Sequence, residues 1–280
     1  MSKTIHHPLL LLFALLPASA LSAPLAAATP ELAAVERASL FTHAPGARIE
    51  DAGVIVIPGG PWPRREAFEV VRDAQGRRIV TSVIRGDDDQ WRVEGRWIYD
   101  ADGQAQSARG IGDYAGQPVV VDIAVVDGQA SIAADIGGSL VEATAACDPC
   151  LIDMAPSALP MFTMTRLYDE AAGGVQHFNW IGRGLIHDEV LTDGRVSFHK
   201  LDSGTFTAPG EAPSTVRQYA FTEVLKHPDT GRLIELSFNL YVDTDDRPLG
   251  FAMPNLNAMR LGFEALPRQM PPIFAGSADD

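Results

Sequence analysis

Several things are scarce or missing in this chain of 280 residues. Only two cysteines are present, Cys147 and Cys150, and no His partners stand at ligand spacing beside them, which argues against a zinc site. Basic residues are few: 22 Lys and Arg against 36 Asp and Glu give a net charge of −14. Nucleic acid and anionic membrane surfaces need a basic patch, so neither is an expected partner. No apolar run reaches the length of a membrane-spanning helix, so no transmembrane anchor is expected. No Gly-rich phosphate loop follows a strand, and Ser139 does not sit in a Gly-x-Ser-x-Gly elbow. Asp202-Ser203-Gly204-Thr205 has the form of an aspartic-protease loop but lacks a second Asp-Ser/Thr-Gly to share a proton with. No motif argues for catalysis, a metal or an organic cofactor, and the reading leans away from an enzyme.

What is present begins with an export signal. Lys3, His6 and His7 precede the apolar stretch Leu9–Leu16, and Ala18-Ser19-Ala20 forms a small-x-small cleavage site. Residues 1–28 are read as signal peptide and lead-in, with cleavage after Ala20 or Ala28, and the mature protein is expected in the periplasm or secreted. In that setting Cys147 and Cys150 are expected as a disulfide. Thr29-Pro30-Glu31 resembles a helix start, so 30–40 is read as a short helix. About 250 residues remain after cleavage, enough for one large β domain.

Period-two patterns fill most of that length. In residues 90–99, Trp91, Val93, Gly95, Trp97 and Tyr99 share one face, and Arg92, Glu94 and Arg96 share the other. Asp73–Gly76, Gly86–Asp89, Asp100–Gly103 and Asp127-Gly128 supply turn chemistry between strands. A second run repeats the grammar, with Phe178, Trp180 and Ile186 on one face of 176–187. Thr192-Asp193-Gly194 is read as its turn, which would set Asp188 against His199 as a surface pair. Further on, Ile234, Leu236, Phe238, Leu240 and Val242 alternate with Glu235, Ser237 and Asn239. The expectation is a mainly β fold of antiparallel meanders, forming two half-barrels or one large curved sheet or sandwich. Its two β units, about 53–146 and 175–253, are joined by a crossing segment, 147–169. There Ser157 and Pro160 suggest a short helix, Phe162, Thr163 and Thr165 allow a strand over 161–167 instead, and Met161 and Met164 suggest a plug filling irregular space.

Within the crossing, Cys150, Asp153, Ser157, Leu159, Pro160, Arg166 and Leu167 form a pattern set between two β runs. With the Gln90–Val93 strand before it, this resembles the central segment of a family named for glycolipid binding. The resemblance implies tandem antiparallel half-barrels similar to LolA-type carriers, and a concave sheet holding an apolar group. The candidate ligand contacts are Trp62, Phe68, Trp91, Trp97, Met161, Phe162, Met164, Phe178 and Trp180. The functional expectation is an exported, non-catalytic protein that binds an apolar or amphipathic small molecule. An envelope structural or protein-interaction role is the alternative, and a hydrolase with dispersed residues a further one.

Overall fold

The computed structural model describes residues 45–263, except 59–62, 87–91, 115–116, 155–156, 184–189, 202, 208–212, 227–232 and 254–255. The export signal, the 30–40 helix, Trp62, Trp91, Ile186 and Asp188 lie outside the described residues.

The alternating segments fold as hairpins. β1 (Arg48–Ile57), β2 (Arg64–Arg72), β3 (Arg78–Gly86), β4 (Arg92–Tyr99), β5 (Ala105–Tyr114), β6 (Gln117–Val126), β7 (Gln129–Ile136) and β8 (Ser139–Ala146) pair each with the next. β9 (Cys150–Met154) leads into a short helix, α1 (Leu159–Thr163), and a 3-10 turn at Met164–Arg166. The second run follows: β10 (Val175–Arg183), β11 (Val190–Lys200), β12 (Gly204–Phe206), β13 (Ser214–Lys226), β14 (Leu233–Val242), β15 (Pro248–Met253) and β16 (Leu256–Arg260).

The two units form one nearly closed, curved sheet, in the order β8-β7-β6-β5-β4-β3-β2-β1-β16-β15-β14-β13-β11-β10-β9, with β12 beside β13. The seam between the runs is β1 against β16, where Ile55 faces Arg260 and Val56 faces Met259. All pairings are antiparallel among the described strands except β9 with β10, which is parallel.

Turn chemistry behaves as expected at most breaks. Asp127 and Gly128 take positive φ of 50° and 73° and join β6 to β7. The Asp100 carboxylate accepts the N–H groups of Asp102 and Gln104 at 3.0 and 2.8 Å, and Gly103 takes φ 85°. The expected turn at Thr192–Gly194 is instead part of β11, so the proposed facing of Asp188 and His199 fails. His199 stands opposite Val175, and His177 meets Ser197 at 3.0 Å. The reason lies in packing: Gly194 pairs with Trp180, and a Cβ there would come within 2.7 Å of the Trp180 carbonyl oxygen. The glycine serves a close approach rather than a bend.

Inner faces carry the core. Val93, Gly95, Trp97 and Tyr99 of β4 turn inward, and the inward positions of the second run are Phe178, Trp180, Phe198, Tyr219, Phe221, Phe238 and Phe251. The crossing segment lies within this core. It starts as a strand, because β9 adds to β10 and also reaches β5. The Trp97 indole donates to the Ile152 carbonyl at 3.1 Å, and Met154 packs on Gly110, where a Cβ would sit 3.2 Å from its sulfur. Pro160 stands in the first turn of α1, and the Ser157 hydroxyl accepts the Leu159 N–H at 3.2 Å. Leu159, Met161, Phe162 and Met164 are all buried, filling the interior as a plug. Cys147 and Cys150 form a disulfide, and Cys147 N–H donates to Gly128 at 2.8 Å.

Candidate functional site

Three regions of the molecule carry chemistry. The first is the interior. The sequence-predicted contacts Phe68, Trp97, Met161, Phe162, Met164, Phe178 and Trp180 are brought together there, each no more than 6% exposed. None of them lines the three cavities described below. They pack on one another and on the strands, as large aromatics in a core do.

Three carboxyl groups share this interior. Glu66 points inward on β2 in register with Phe68 and Val70, accepting the Ser157 hydroxyl and the Ala158 N–H, the latter at 2.8 Å. Burial raises its pKa, while these two hydrogen bonds act the other way. Asp153 on β9 is pushed up to about 8, chiefly by burial. The nearby Glu66 carboxyl adds to the rise, and the Trp180 indole opposes it from outside good hydrogen-bond geometry. Glu223 on β13 stands between Val196 and Leu236 on its neighbouring strands, and burial, then Asp153, raises its pKa well above the usual range. The three are therefore held toward the protonated form, which is how a carboxyl persists in an apolar core. Glu66 also does structural work by tethering the entry to α1. Among the described residues, no group of His, Cys, Asp or Glu is arranged to hold a metal.

The second region is a groove of about 1000 Å³ across β4 to β8. Strand register puts two rows of side chains on the face turned away from the core. One row runs Arg96, Arg109, Asp122, Ala133, Glu142; the next runs Ile98, Ser107, Ala124, Ser131, Thr144. The second row is small or aliphatic, and it leaves the sheet uncovered there. The first row holds two cations beside two anions, with Arg109 and Asp122 at 3.6 Å and both more than half exposed. The neighbouring row on the same face runs Glu94, Ile111, Val120, Asp135, Leu140, and its three apolar members are exposed.

The third region is the polar end of the sheet, where the 73–77, 100–104 and 243–247 turns gather. Two cavities of about 480 and 320 Å³ open there and share Arg78, Arg166 and Asp246.

Sequence reading missed the groove and the interior carboxyls. A signal existed for each. Glu66 and Glu223 occupy the inward parity of strands otherwise carrying Phe68, Val70, Tyr219 and Phe221. The groove is marked by small residues at outward parity on consecutive strands.

Compared with family models, with curated proteins and with solved structures, the chain shows no significant match to any of them.

Proposed function

We propose that this is an exported, non-catalytic protein that binds an amphipathic small molecule, lipid or glycolipid-like, in the groove across β4–β8. The observation that carries this reading is the groove itself: about 1000 Å³, floored by small and aliphatic side chains and edged by Arg96, Arg109, Asp122 and Glu142. Volumes of this size suit small-molecule sites, which combine apolar lining with a few oriented polar groups. An apolar body would lie along Ile98, Ala124 and Ala133 while its polar part met the charged row. The exposed Ile111, Val120 and Leu140 lie beyond the charged row on the same face. The resemblance at Cys150–Leu167 to the glycolipid-binding family supports the same ligand class. The reading moves the ligand from the aromatic inner face to the opposite face of the same strands, because the crossing segment already fills the inner one.

The test is native mass spectrometry of the purified mature protein, with and without added lyso-phospholipid. Wild type should carry or take up one apolar adduct. Ala133→Trp, which places a large ring in the groove from its exposed side, should abolish uptake with an unchanged melting curve. Uptake undiminished by Ala133→Trp, or none in wild type, would sink the groove reading.

A further inference from the structure

The polar end of the sheet has a charge arrangement that the groove does not use, and the two regions share no lining residue. Most acids at this end are already engaged. Glu50 is held by Arg72 at 2.6 Å, Asp51 by Arg260 at 2.8 and 2.9 Å, and Asp246 by Arg217 at 2.7 Å. Glu170 is held by Lys200 at 2.7 Å, and Asp245 faces Arg247 at 3.4 Å. Two guanidinium groups come off worst. Among the described residues, Arg78 reaches Glu50 at 3.8 Å and its buried Nε has no hydrogen-bond partner. Arg166 reaches Asp246 at 4.0 Å and the Asp245 carbonyl at 3.3 Å.

Arg78 is 93% buried, since its relative exposure is 7%, so its Nε cannot turn to solvent. It also stands close enough to Arg166 for the two charges to oppose each other. Burial first, and that opposition second, bring the Arg78 pKa down to about 10, which leaves it cationic at neutral pH. A desolvated guanidinium with an idle donor is costly to maintain. Both side chains line both cavities, so a guest in either one meets both.

We infer that Arg78 and Arg166 together form a binding site for a phosphate-type oxyanion, free or carried as the headgroup of an amphiphile. Such a guest accepts several N–H groups at once from two planar forks, in the geometry guanidinium groups favour. It accepts from both guanidinium groups where they line the cavity and offsets two like charges. The cavity of about 480 Å³ has room for it. Arg72, Arg217 and Arg260 are not part of the site, because each is committed to its own carboxylate.

The experiment titrates the mature protein at low ionic strength with two probes, inorganic phosphate and dihexanoyl phosphatidic acid, by calorimetry and ³¹P line broadening. Arg166→Gln, on a partly exposed residue, should fold normally and weaken binding by about tenfold or more. Arg78→Lys keeps the charge but loses the fork, and should weaken binding as well. Ala133→Trp should leave binding at this end unchanged, whatever it does in the groove. Binding of both probes that depends on Arg166 identifies a site for the free anion. Arg166-dependent binding of the phosphatidic acid alone identifies a headgroup site. Binding of neither probe, or equal affinity in wild type and Arg166→Gln, overturns the proposal.

Discussion

The two runs of strands build one sheet from opposite materials. On β10 to β15 the inner positions are large rings that touch in sequence, Phe198 on Phe221, Phe221 on Phe238 and Phe238 on Phe251, and Tyr168 of the crossing segment packs on Phe198 and Tyr219, with centroids 5.8 to 6.3 Å apart. On β4 to β8 many inner positions are small, Gly95, Ala108, Gly110, Ala130, Ala134 and Ala143, set between the larger Trp97, Tyr99, Val121, Ile123 and Ile132. The aromatic half fills most of its interior with its own rings. The small-residue half cannot, and the crossing segment is laid into it. Gly95 shows how tight that fit is, since a Cβ there would come within 2.4 Å of the Trp97 ring. Two ways of reaching close packing therefore coexist, one with bulk on the strands and one with a bed for an inserted chain.

The strongest attack on this contrast is at the inserted chain's anchor. Trp97→Ala removes a fully buried ring and the hydrogen bond to Ile152, and should cost about 3–5 kcal/mol, read by denaturant unfolding. If it costs no more than an exposed substitution, β9 and α1 are not held by β4.

Next in size is a pH effect that belongs to the interior alone. In the fold Asp153 binds its proton more tightly than in the unfolded chain, so the folded state holds more protons between about pH 4 and 8. Its contribution to stability is complete below the unfolded pKa and is lost as pH rises through about 8. Glu223 works in the same direction. From pH 5 to 8 the protein should lose about 3 kcal/mol, or roughly 6–12 °C of melting temperature. Asp153→Asn should flatten that slope, and a slope unchanged in this variant would place its origin elsewhere.

Reducing the Cys147–Cys150 disulfide should cost about 2 kcal/mol or less, because the closed loop is so short. Thermal melts with and without reductant measure it. Smallest of all, Leu140→Ser on the open face of β8 should change stability by no more than about 0.5 kcal/mol. A large loss there would show that this face is covered in solution.

Much of this was legible in the residues. The parity of β4 assigned Trp97 inward and Arg96 outward, and the Asp-Gly pairs placed the turns, because both signals are local. At the crossing segment Ser157 and Pro160 pointed to a helix while Phe162, Thr163 and Thr165 allowed a strand, and the fold has the helix. Other features were not local. Parity says which residues share a face but not which face a distant segment will cover. Thus Trp97 was readable as a partner for something large, and only the fold supplies Ile152, 55 residues on, as that partner. Likewise the Asp193-Gly194 signal meant a turn by local chemistry, while the requirement actually met was space beneath Trp180.

The seam has a consequence for how the molecule is made. β1 cannot complete its pairing until β16 arrives, and the Arg260–Asp51 bridge joins groups 209 positions apart in the chain. Contacts of such long range form late and slowly. A chain synthesised from its N-terminus therefore presents one edge of β1 unpaired until residue 260 has emerged. Up to that moment the two runs are separate ribbons, each with an open margin at the seam; with the last strand they become one sheet.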